Sequence, residues 1–118
     1  MATSKESQPG RVWLTVPDLV ERLGVSPGRI RRLLEDRHLL AAKLDGVLRI
    51  PEDFLEPSGT EPLRDLRGTL IVLGDAGFSD DEAMDWLLSL EESLGTAPID
   101  ALRSGRKAEV RRVAQALA

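Results

Sequence analysis

The sequence predicts a mainly α-helical fold with one small β-hairpin, and three observations carry that prediction. Apolar residues recur at helical spacing through most of the chain. A single Asp45-Gly46 pair separates two short apolar runs, and helix-capping residues punctuate both halves. The chain has 118 residues, 42% hydrophobic and 31% charged, a composition typical of folded soluble domains. That length supports one domain, or two very small ones sharing a core.

Residues 1–11 are polar, with Thr3, Ser4, Ser7, Pro9 and Gly10, and read as a disordered lead-in. Trp13 and Leu14 open the ordered part. Thr15, with Asp18 three residues on and Pro17 in the first turn, starts a helix whose apolar face is Val16, Leu19, Val20 and Leu23. Gly24 ends it as a left-handed cap. Ser26 and Pro27 start a second helix over 27–37, with Ile30, Leu33 and Leu34 facing inward. A hairpin over 39–50 follows, from the runs Leu39–Leu44 and Val47–Ile50, because Asp-Gly favours the positive φ of a two-residue turn. Pro51 ends the second strand, and Phe54 and Leu55 form a last helical turn packed on the core. Pro57–Pro62 is the expected linker between a first domain, 12–56, and a second, 63–118.

The second half reads as helical throughout. Leu63, Leu66, Leu70 and Leu73 mark a helix ending near Ala76-Gly77. Ser79 caps the next with Glu82, and its buried face is expected to be Ala83, Trp86, Leu87 and Leu90. A short helical piece spans Ile99–Leu102. The last helix starts near Arg106 and carries Val110, Val113, Ala114 and Leu117.

Composition excludes most chemistry. There is no cysteine and a single histidine, His38, so thiolate sites, disulfides and His-based metal clusters cannot be built. No glycine-rich phosphate loop or nucleotide fingerprint is present, and carboxylates have no nucleophile to work with. No enzymatic activity, metal or cofactor is expected. No apolar run is long enough to span a bilayer, which leaves a cytoplasmic reading.

Charge is unevenly placed. The net formal charge is −4, yet Arg22–Arg49 holds seven basic against three acidic residues, while residues 56–118 hold seven against twelve. On a helical wheel, Gly28, Arg32 and Glu35 lie opposite Ile30, Leu33 and Leu34, with Arg29 and Arg31 on the flanks. Two helices across a glycine turn, followed by a hairpin, describe a winged helix-turn-helix. Its second helix fits the major groove, where an arginine fork meets a phosphate or the guanine O6/N7 edge. Ser26 and the free N–H groups at the helix start suit a phosphate, and Gly28 allows close approach. Lys43 and Arg49 flank the wing tip as candidate backbone contacts. The candidate DNA-binding set is therefore Ser26, Gly28, Arg29, Arg31, Arg32, Lys43 and Arg49. The plain alternative is a solvated arginine face paired locally with Glu35 and Asp36.

The run from Leu14 through Leu23-Gly24-Val25-Ser26 and Arg29-Ile30-Arg31-Arg32 to Arg49-Ile50-Pro51-Glu52 resembles winged helices of the MerR and excisionase kind. Asp75-Ala76-Gly77-Phe78-Ser79, Trp86-Leu87 and Pro98-Ile99-Asp100-Ala101-Leu102 closely resemble the second half of an actinobacterial family of compact DNA-binding proteins. That family joins a winged helix-turn-helix to a C-terminal helical domain and includes a mycobacterial Ser/Thr-kinase substrate. The resemblance implies double-stranded DNA as partner, a role in transcription regulation or at the nucleoid, and a Ser/Thr protein kinase acting on the tail. Thr3, Ser4 and Ser7 are the hydroxyls available there. The 98–106 segment is also similar to the helical domain of some toxin-binding antitoxins. With Asp80, Asp81, Glu82 and Asp85 on one helix, this supports an alternative: a protein-interaction module whose DNA-binding half is degenerate.

Overall fold

The computed structural model describes residues 10–118; Thr3, Ser4 and Ser7 lie outside that range. Strands β1 (Trp13–Thr15), β2 (Ala42–Leu44) and β3 (Val47–Pro51) form an antiparallel sheet in the order β1-β3-β2. Helices α1 (Val16–Leu23) and α2 (Pro27–Glu35) connect the first two strands. A 3-10 turn, Glu52–Phe54, leads to α3 (Leu66–Asp75), α4 (Asp80–Leu88), α5 (Pro98–Arg103) and α6 (Lys107–Ala116). The architecture is mainly helical with a small sheet as the wing, as expected. Among the described residues no helix is long and apolar enough to cross a membrane.

Local chemistry sets the helix ends of the first half. Thr15 accepts from the Asp18 N–H and Asp18 accepts from the Thr15 N–H at 2.9 Å, closing the capping box of α1. Gly24 sits at φ 67° and ends α1 in the left-handed conformation. The wing turns at Asp45 (φ 53°) and Gly46 (φ 77°), the paired positive φ of a type I′ hairpin.

Several expectations need correction, among them Leu63 and Leu117, which lie just outside α3 and α6. Trp13–Thr15 is a third strand, with Leu14 opposite Ile50, where only the start of ordered chain was expected. The recognition helix stops at Glu35, two residues short of the expected 37. There the His38 N–H reaches the Leu33 carbonyl and the Arg37 N–H the Leu34 carbonyl, with Arg37 at φ 63°. That is a Schellman ending with arginine in the place usually held by glycine. The first wing strand begins at Ala42, because Leu39 and Leu40 turn into the core instead of pairing. Finally, α4 ends at Leu88, so Leu90 leaves the helical period and is 70% exposed, while Met84 and Leu88 take the buried places.

One apolar core runs through both halves. Leu19, Ile30, Leu39, Ile50, Phe54 and Leu55 join Leu66, Leu70, Met84, Leu87, Ile99 and Val110, all with no exposed surface. Segment 56–62 is a closed turn: the Glu56 N–H donates to the Glu61 carbonyl, and the Leu63 N–H returns to the Phe54 carbonyl.

Arginines clamp the 3-10 turn to α5. Arg11 bridges Asp53 (2.8 Å) and Asp100 (3.0 Å), and Arg103 donates to the carbonyls of Asp53 and Leu55. The hydrogen bonds that Arg11 donates to the Asp100 carboxylate, and to that of Asp53, hold its guanidinium above its already high pKa. Replacing Arg11 by Met leaves two part-buried carboxylates without their cation, so urea unfolding should show a loss of about 1–3 kcal/mol. An unchanged midpoint contradicts the clamp. Thr15 hydrogen bonds also hold the Asp18 carboxyl below its usual range. Its contribution is present above the unfolded pKa and is lost as pH falls through the folded one, so Asp18→Asn should flatten the acid side of the stability profile.

Candidate nucleic-acid interface

The site begins with the direction of α2. Ile30 has no exposed surface and Leu33 only 7%, so the opposite side of the helix faces solvent. Gly28, Arg29, Arg31, Arg32 and Glu35 are all exposed there. None of the three arginines is in an ion pair or side-chain hydrogen bond among the described residues. The local pairing with Glu35 and Asp36 is thus not formed. Two other cations of the first half are engaged: Arg22 meets Glu52 at 2.7 Å and Arg37 meets Asp80 at 3.1 Å.

Ser26 is the N-cap of α2 and accepts from the Arg29 N–H at 3.1 Å. Pro27 has no N–H, and the Arg29 and Ile30 N–H groups reach the Ser26 carbonyl. The Gly28 N–H is therefore the donor left pointing out of the helix start. Two helical glycines differ in what surrounds them. At Gly68 a Cβ would lie 2.5 Å from Arg111 Nη2, so the Arg111 side chain, bonded to Thr69 Oγ1 and the Asp65 carbonyl, would have to shift. At Gly28 only Ser26 Oγ would come near, at 3.8 Å, and φ is not positive. Neither crowding nor backbone conformation within the chain requires glycine at 28, in keeping with a surface left bare for a partner.

The wing cations part company. Lys43 stands opposite Leu48 and is exposed, whereas Arg49 stands opposite Ala42 and Thr15 on the other face of the sheet. Arg49 is half-buried, with Nε out of solvent and without a partner among the described residues, and its charge is felt by Asp18. Lys43 therefore joins the free cations of α2, and Arg49 does not share its face. His38, given no role from sequence, is exposed at the end of α2. Two of the acids of α4 serve the fold: Glu82 closes the Ser79 capping box and Asp80 holds Arg37.

Two family models match. Residues 7–55 match "DNA-binding protein Rv2175c, wHTH domain", and residues 63–118 match "Rv2175c C-terminal domain of unknown function". The chain is 34% identical to the DNA-binding protein Rv2175c of Mycobacterium tuberculosis (strain ATCC 25618 / H37Rv), over 93% of this chain and 83% of that protein. Its fold is similar to the NMR structure of Rv2175c, with TM-score 0.83 and 33% identity, again over 93% of this chain and 83% of the other.

With nothing crowding position 28, Gly28→Ala should leave the fold intact and raise stability by up to about 1 kcal/mol in a thermal melt. A lower melting temperature would mean that the glycine serves the chain's own packing.

Proposed function

This chain belongs to the Rv2175c family of winged helix-turn-helix proteins, and from that premise we propose that it binds double-stranded DNA as a transcriptional regulator or nucleoid-associated protein of the cytoplasm. The observation that carries the reading is the exposed, unpaired row Arg29, Arg31 and Arg32, on a helix pinned from behind by Ile30. A helix is the width of the major groove, and guanidinium forks bind phosphate or guanine edges bidentately. The Ser26-capped start of α2 offers the Gly28 N–H and the positive end of the helix dipole to a phosphate. The wing contributes Lys43 to the flanking backbone, and Arg49, half-buried, has a smaller part.

The tail is the second element of the proposal. A phosphate on Thr3, Ser4 or Ser7, placed by a Ser/Thr protein kinase, adds about −1.5 to −2 charge and opposes a polyanion. Mass spectrometry after kinase treatment, paired with a gel shift of the same sample, tests it: a phosphorylated tail with unchanged DNA binding rules out electrostatic control.

Four free cations each neutralising one phosphate give a log–log salt slope of about −4. The triple substitution of Arg29, Arg31 and Arg32 by Ala should make the slope shallower by about three and remove detectable gel shift near physiological salt. If Arg32 reads a base, Arg32→Ala alone should cost about 1–3 kcal/mol on the preferred sequence and less on others. Retention of wild-type affinity by the triple variant overturns the reading.

A further inference from the structure

We propose, on the premise that α2 binds DNA, that the second half of the chain takes part in that contact, with Arg64 holding a phosphate of the duplex backbone beside the recognition helix. The observation is a surface groove of about 610 Å³ between α2 and the segment 56–64. One wall is the recognition helix and its end: Arg29, Leu33 and His38. The facing wall carries Arg64, immediately before α3. Leu33 and Leu63, both buried, belong to the apolar part of the lining. A backbone running along the flank of α2 passes over the mouth of this groove, with Arg29 on one side and Arg64 on the other.

The unpartnered donors in the groove suit an anion. The Arg64 guanidinium is exposed and has no side-chain partner among the described residues, as is the case for Arg29. Two carboxylates also line the groove, Glu56 and Glu61. Glu56 is turned inward on the chain, its Oε2 accepting from the Arg64 N–H at 2.7 Å. Glu61 is exposed and opposes a phosphate. Arg29 and Arg64 are thus matched in number by Glu56 and Glu61, and the two guanidiniums are the donors in the groove left without a side-chain partner.

The two walls of the groove are also joined by a hydrogen bond. Arg67, one helical turn beyond Arg64, donates from Nε to the Asp36 carbonyl at 2.8 Å, and Asp36 caps α2. The wall bearing Arg64 is thus tied directly to the end of the recognition helix. A phosphate held there is positioned in register with α2, which is how backbone contacts orient a reading helix.

The test measures fluorescence anisotropy of the full chain on two duplexes of unrelated sequence, between about 50 and 200 mM salt. Arg64→Ala should weaken binding about three- to tenfold on both duplexes and make the salt slope shallower by about one. Glu61→Gln should tighten binding. Arg112→Ala, the same change of charge at an exposed cation that does not line the groove, should alter neither. Circular dichroism melts confirm that each variant is folded. Wild-type affinity and slope in Arg64→Ala, an equal loss in Arg112→Ala, or a loss confined to one duplex each overturn the assignment. Inorganic phosphate, added at constant ionic strength, separates a duplex phosphate from a free anion. Competition that depends on Arg64 at millimolar phosphate would make the groove a small-anion site instead. If the wild-type chain binds neither duplex, the DNA-binding premise fails, a result distinct from all of these.

Discussion

Burial of Ile30 is the constraint from which the rest of the structure follows. A helix of nine residues with three arginines has few ways to sit on a core, because an unpaired guanidinium cannot be taken out of water without a large penalty. With Ile30 sealed in the same core as Leu19, the arginines have one direction left, outward. The short α1–α2 turn and the sheet behind hold that orientation. What the chain presents to a partner is then a cationic helix surface, although its net charge is negative.

The acidic second half stabilises this arrangement rather than neutralising it. Three of its carboxylates are directed at cations that lie off the recognition surface: Asp80 at Arg37, Asp100 at Arg11, Asp65 near Lys107. The Arg67 bond to the Asp36 carbonyl braces the end of α2, and Arg103 braces the turn after the wing. The helical half is thus a scaffold for the winged half, built from the same continuous core. Segment 56–62, rich in proline and glycine, is closed on itself by hydrogen bonds and brings Arg64 beside Arg29.

Features encoded over three or four residues were legible in the sequence. Thr15 with Asp18, Ser79 with Glu82, Gly24 and Asp45-Gly46 each carry their own local geometry, and each forms as read. The inward face of α2 was legible because Ile30 and Leu33 recur at helical spacing. Strand β1 was not, since three residues show no alternation and their partner lies more than thirty positions later. The end of α2 was hidden because Arg37 occupies the left-handed position that normally betrays itself by glycine. Leu90 misled because periodicity continues in sequence after the helix has stopped at Leu88. The separation of Lys43 from Arg49 follows from strand parity, but only once the register is known. Arg64 had no local signal at all; its place beside Arg29 comes from the turn that folds the second half against α2.

The most direct measurement of the central claim is a map of backbone amide shifts in isotope-labelled protein titrated with a short duplex. The largest changes should fall on α2 with its N-cap Ser26 and on the wing near Lys43, with α4 to α6 little altered. Changes concentrated on the acidic helices, or duplex saturation that leaves α2 unmoved, would contradict that claim.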